Sequence, residues 1–229
     1  MAYGIPGNSF LPPPTPGQMY APMQVPKAVR RIGEQGFWST HQFNPGVNLS
    51  NSEFRLFAAP QGQVAQGFAA PLSIAETNLK EGGRIPAQYA FTVDGVACQA
   101  YYADASPMTY TDLAITRNDC VLQWDFVQTR FDIAPIALCG EGGGIFGSTA
   151  DTGAADGVNG SREALNNGGG QLWIYRRYPV LLPSNSTFAI ITSFGSGTGV
   201  VAYNGGPTAS NVNVRVSLLG RFETAIAIG

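Results

Sequence analysis

The stretch NVNVRVSLL, Asn211 to Leu219, decides the fold class. Val212, Val214, Val216 and Leu218 alternate with Asn213, Arg215 and Ser217, and in a strand residues two apart share a face while neighbours point to opposite faces. The segment is therefore predicted to be a strand with one face in a core. Six further stretches read the same way: Phe54–Ala58, Gln88–Tyr102, Met108–Ile115, Val121–Ile133, Gln171–Leu182 and Thr187–Phe194. They are apolar or alternating segments bounded by Gly, Pro or Asn, and hardly any window keeps a 3.6-residue period. In Val121–Ile133 the odd-numbered residues oppose Leu122, Trp124, Phe126, Gln128, Arg130 and Asp132, which predicts one long strand buried at its centre. A single helix is predicted, Ser73–Leu79, where Ser73 precedes Glu76 at capping-box spacing. No internal repeat is present. Several strands joined by long crossing connections predict an all-β fold, a two-sheet antiparallel sandwich of jelly-roll type.

The chain divides in two. Residues 1–36 are predicted to be an extended Pro-rich N-terminal arm, because Pro6, Pro12, Pro13, Pro14, Pro16, Pro22 and Pro26 fix φ and remove backbone donors. Phe10, Leu11, Met19, Tyr20 and Met23 give the arm apolar groups with no local way to bury them. Residues 37–229 are predicted to be a single domain, a size at which one sandwich buries a substantial core. A long Gly-rich loop at 140–170 interrupts it.

Charged residues make up 12% of the 229 residues, with a formal net charge of -2, about half the ~25% usual in soluble domains. Phosphate binding needs clustered Lys and Arg. Only Lys27, Arg30 and Arg31 cluster, so nucleic acid is excluded as the expected partner. No window reaches the ~18 apolar residues of a membrane span, so no membrane is expected. The N-terminal stretch lacks the basic start and apolar core of a signal peptide, and synthesis in a cytoplasm is the expectation. Such low charge suits a surface mostly covered in an assembly. Cys98, Cys120 and Cys139, without CxxC spacing, are expected to be buried thiols.

No motif carries chemistry through. Gly142, Gly144 and Gly147 satisfy G-x-G-x-x-G, but a dinucleotide site needs a helix opening at the third glycine, and STADTGAADGVNG cannot supply one. Asp151-Thr152-Gly153 matches the aspartic-protease triplet but sits in a Gly/Ser/Ala loop rather than after an apolar strand, and it lacks a twin. Glu141, Asp151, Asp156 and Glu163 lack calcium-loop spacing. His41, the single histidine, adjoins Ser39 and Thr40 in WSTHQF without the geometry of a nucleophile–base pair. No catalytic residue, metal or cofactor is expected. A second reading, a carbohydrate-binding receptor or fibre module, would use Tyr101, Tyr102, Trp173 or Tyr175 as stacking platforms.

Four phrases in this order, FRLFAAPQGQVAQGF, AETNLKEGGRIPAQYAFTVDGV, PVLLPSNSTFAIITSF and VNVRVSLLGRF, resemble a group of small jelly-roll proteins of bacteriophage particles. The resemblance spans roughly residues 37 to 224. It implies a capsid, cement or decoration subunit with no catalytic residue to carry over. The expected localisation is then the virion, after synthesis in the host cytoplasm. The expected partners are the major capsid protein or other virion subunits, and copies of the chain itself as a homo-oligomer, a trimer. The residues expected to make those contacts are Phe10, Leu11, Pro13, Met19 and Tyr20 in the arm and Gly143, Ile145 and Phe146 in the loop.

Overall fold

The computed structural model describes residues 30–34, 36–65, 67–104, 108–109, 119–126, 129–139, 150–151, 162–164, 173–174, 179–196, 200–201 and 211–224. Its strands are β1 (Arg30–Glu34), β2 (Phe37–Phe43), β3 (Val47–Asn48), β4 (Glu53–Leu56), β5 (Ala90–Tyr102), β6 (Met108–Thr109), β7 (Cys120–Phe126) and β8 (Thr129–Pro135), followed by β9 (Ala150–Asp151), β10 (Arg162–Ala164), β11 (Trp173–Ile174), β12 (Val180–Leu182), β13 (Phe188–Phe194), β14 (Val200–Val201) and β15 (Val212–Thr224). A 3-10 turn, Ile136–Leu138, follows β8. Among the described residues no helix is long and apolar enough to cross a membrane.

Two antiparallel sheets carry the fold. The first centres on β15 and β5, with β2 and β1 sharing one side of β15 and β12 and β11 sharing the far side of β5. The second has the order β4-β13-β7-β8. Two small ladders, β6-β10-β9 and β14-β3, stand apart.

The alternation in Asn211–Leu219 is realised in β15: Val212, Val214, Val216 and Leu218 are all buried. They meet Leu56, Leu122, Trp124, Phe188, Ile190 and Phe194 of the second sheet in one core cluster. Aromatic pairs cross the gap between the sheets: Phe43 meets Phe194 edge-on at 5.8 Å and Phe54 at 4.7 Å, and Phe37 meets Phe188 at 6.5 Å. Such pairs add about 0.5–1.5 kcal/mol each beyond their buried area. All three cysteines are buried, and none is in a disulfide.

Several expectations are corrected. The single strand Val121–Ile133 is two strands, β7 and β8, paired antiparallel with Phe126 opposite Thr129. Leu122 and Trp124 are buried as expected, but the chain reverses where FVQT offers no Gly, Pro or Asn to announce a turn. Of Gln171–Leu182, the described residues include the strands β11 and β12, and residues 171–172 and 175–178 lie outside the described residues. Ser73–Leu79 is not a helix. The Glu76 carboxylate accepts from the Ser73 backbone N–H at 2.7 Å and from its hydroxyl, and Thr77 N–H donates to the Ser73 carbonyl at 3.0 Å. One turn forms, and then Thr77 bridges to Ser39, so pairing with β2 takes the backbone groups a second turn would need. Arg30–Glu34, counted within the arm, is the strand β1 paired with β15. Residues 1–29 lie outside the described residues.

The connection 57–89 runs from β4 of the second sheet to β5 of the first and passes the edge of β2, where Thr77 bridges to Ser39. It begins at Phe57, whose φ of 64° is in the left-handed region, a costly place for a bulky residue. The ring is fully buried and packs on Phe188 at 5.5 Å, and the backbone N–H donates to the Ser39 hydroxyl at 2.9 Å. Burial and this bond hold the conformation. On the opposite side of the sandwich the chain leaves β8 through the 3-10 turn and reaches β5, where Cys98 N–H donates to the Cys139 carbonyl.

Candidate functional site

Two features of the described residues have the geometry of a site. The first is a polar network on the outer face of β2, β15 and β5. Arg215 donates to the Tyr101 hydroxyl at 2.7 Å, to the Ala75 carbonyl at 2.8 Å and to the Thr40 hydroxyl at 3.3 Å. Its guanidinium also lies 5.2 Å from the centre of the Tyr101 ring, a cation–π distance. Beside it Asn211 donates to Gln42 at 2.9 Å and Gln42 donates to Asn213 at 3.0 Å. The segment around Ser73–Asn78 covers this face: Trp38 Nε1–H donates to the Ile74 carbonyl at 2.9 Å, and Asn78 accepts from Trp38 N–H at 3.0 Å and donates to the Gly36 carbonyl at 2.7 Å. The donors of Arg215 and the amides beside it are directed at groups of the protein itself. This arrangement joins three strands and a covering loop.

The second feature is a groove of about 300 Å³ at the end of the sandwich where β1 pairs with β15. Phe37, Leu79, Pro86, Tyr89 and Phe222 line it. Phe222 is its aromatic centre, 5.1 Å from Phe37, 4.9 Å from Phe91 and 5.8 Å from Tyr89. Lys80 and Arg84 stand on its rim, but Lys80 donates to Gln61 at 2.8 Å and Arg84 donates to Asn185 at 3.0 Å. Asn78 and Glu81 complete the lining; its larger part is apolar and the cations are engaged, so the groove suits an apolar side chain better than an anion.

His41 is buried between Phe43 at 4.6 Å and Phe54 at 4.7 Å. Burial lowers its pKa from 6.5 to about 4, and its Nδ1 has no hydrogen-bond partner. An imidazole held neutral among phenyl rings is a core residue. Burial raises the Cys139 thiol to about 12 and pushes Cys120 higher still, which keeps both protonated in the folded protein. Among the described residues no three His, Cys, Asp or Glu side chains are grouped to hold a metal ion.

The arm residues Phe10, Leu11, Pro13, Met19 and Tyr20 and the loop residues Gly143, Ile145 and Phe146 all lie outside the described residues. So do Gly142, Gly144, Gly147, Glu141, Asp156 and the Thr152-Gly153 part of the protease-like triplet. Within the loop, Ala150–Asp151 and Arg162–Ala164 pair with each other, and the latter pairs with Met108–Thr109. Of the proposed sugar platforms, Tyr102 is fully buried and Tyr101 is engaged by Arg215. The Arg215 network was missed because its partners lie far apart in sequence, the Arg215–Thr40 pair by 175 residues. No family model, curated protein or solved structure matches the chain.

Proposed function

We propose that the chain is a virion structural protein: a capsid-associated subunit, shell-forming or decorating, built as a jelly roll with an extended N-terminal arm. One observation supports the jelly-roll reading above others, the nesting of the main strand pairs. β7 pairs with β8; outside them β5 pairs with β12, then β4 with β13, then β2 with β15. A long hairpin rolled into two sheets pairs its strands in this order, and eight strands in two Greek keys define the jelly roll.

Fold alone does not assign function, and the step to assembly rests on the surface and on the phage-like phrases noted above. With charged residues at 12% of the chain, the surface suits repeated weak contacts, which add up across many copies. Phe131, Leu138 and Leu181 also stand about half exposed. In this reading the contacts fall on the arm and the 140–170 loop, with the arm feeding straight into β1 at the side of β15.

The reading is tested on the full chain by native mass spectrometry and electron microscopy over rising concentration, followed by co-sedimentation with phage shells. A symmetric oligomer, a trimer in the simplest case, that binds shells and loses binding when residues 1–29 are removed is the expected result. A protein that stays monomeric at high concentration and ignores shells would overturn it.

A further inference from the structure

The strongest unassigned feature of the core is the close backbone approach of two buried cysteines. Cys98 lies on β5 in the first sheet, and Cys139 follows the 3-10 turn that leaves β8 of the second. The Cys98 backbone N–H donates to the Cys139 carbonyl with an N···O distance of 2.5 Å. Adding standard N–Cα, C=O and Cα–C bonds at their usual angles places the two Cα atoms no more than about 6 Å apart. That is within the upper limit of about 6.8 Å for the Cα atoms of a disulfide. Both side chains enter the same buried cluster, at 5% and 0% exposure. Cys120 lies on β7 opposite Phe194, in the sheet that does not contain Cys98.

We propose that Cys98 and Cys139 are the two halves of an intrachain disulfide, formed when the chain meets a small-molecule disulfide such as oxidised glutathione. One cysteine thiolate attacks the reagent, forming a mixed disulfide and releasing one small thiolate. The second cysteine thiolate then attacks the protein sulfur of that mixed disulfide, forming the Cys98–Cys139 bond and releasing the second small thiolate. The two protein thiols give up two protons and two electrons, and the reagent is reduced to two small thiols. Burial keeps Cys139 protonated at neutral pH, so exchange is slow in the folded protein and fast while the site is open during folding. A reducing compartment leaves both cysteines as thiols; an oxidising one closes the bond. The bond ties the crossing between the sheets to β5, and it forms whether or not the chain assembles.

The full chain is refolded in a mixture of oxidised and reduced glutathione, blocked with an alkylating reagent after denaturation, and digested for mass spectrometry. The expected result is a cross-linked peptide pair containing Cys98 and Cys139, a single alkylated cysteine at Cys120, and a Tm about 5–10 °C above that of the reduced protein. Cys98→Ser and Cys139→Ser each abolish the cross-link and the shift, while Cys120→Ser keeps both. Should either serine variant fail to fold, Cys120→Ser alone decides, since only two cysteines remain in it. Two alkylated thiols in that variant after native refolding overturn the proposal, as does a bridge to Cys120 in the parent chain.

Discussion

The outer faces of the two sheets are held in opposite ways. On the face of β2, β15 and β5, a guanidinium and a chain of amides are satisfied by one another and by the Ser73–Asn78 segment, so Thr40 and Asn213 are buried although they point away from the core. On the face of β4, β13, β7 and β8, the arginines stay in solvent: Arg55 reaches the more enclosed Asp125 at 3.1 Å, and Arg130 pairs with the exposed Glu53 at 2.8 Å. A covered polar group gains a persistent bond and costs much when its partner is removed, whereas an exposed ion pair contributes little. Covering the free edge of β2 also withholds its backbone groups from other chains.

The cover itself is the most sensitive point. Gly67 has a φ of 84°, and a Cβ there would lie 1.8 Å from the Gln42 carbonyl oxygen of β2. Gly67→Ala forces the connection off the edge strand, and a loss of about 4 kcal/mol in unfolding free energy, read as a lower urea midpoint, is expected; an unchanged midpoint would mean that the cover does not contribute.

His41 tests the core between the two faces. Its imidazole titrates near 6.5 when unfolded and near 4 when folded, so the unfolded chain binds the proton first as pH falls. Its effect on stability is nil above about 6.5, grows to a loss of about 2 kcal/mol by pH 5 and reaches about 3 kcal/mol near pH 4. Chemical denaturation at pH 7 and pH 5 should show this loss in the parent and its absence in His41→Phe, which keeps the ring contacts and removes the orphaned Nδ1.

Arg215→Ala unpairs the Ala75 carbonyl and the Tyr101 and Thr40 hydroxyls, and about 2 kcal/mol should be lost with little dependence on salt. Arg55→Ala on the other face should cost under about 1 kcal/mol, and 0.5 M NaCl should erase most of that. If the two arginines cost the same, the contrast between the faces fails.

How much of this could be read in the sequence depends on which groups carry each element. β15 was legible because its apolar residues fall on one face and its polar residues on the other. β2 was not counted as a strand: FWSTHQF has polar residues on both faces, Ser39 and His41 inside and Thr40 and Gln42 outside, and those faces are completed by Phe57 and Arg215 from distant segments. The hairpin between β7 and β8 was invisible because alternation continues across a reversal without turn residues. The capping box at Ser73 was legible and forms, but its sequence carries no sign that Thr77 would pair with Ser39. The Arg215 network could not be read at all, since hydrogen bonds between residues this far apart leave no local pattern. The contact residues assigned to the arm and to the 140–170 loop rest on the sequence.

The nested pairing also sets a timetable. β5 spans Ala90–Tyr102, yet its neighbour along nearly its whole length, β15, begins only at Val212. A ribosome adding ~5–20 residues per second needs on the order of ten seconds to bridge that interval. Through it, the apolar flank of β5 waits for a companion not yet made. Loop closure over such a separation is slow for free chains as well, so crowding among nascent chains is hazardous in that window, and chaperones that hold unpaired strands should raise yield more than any improvement of the finished core.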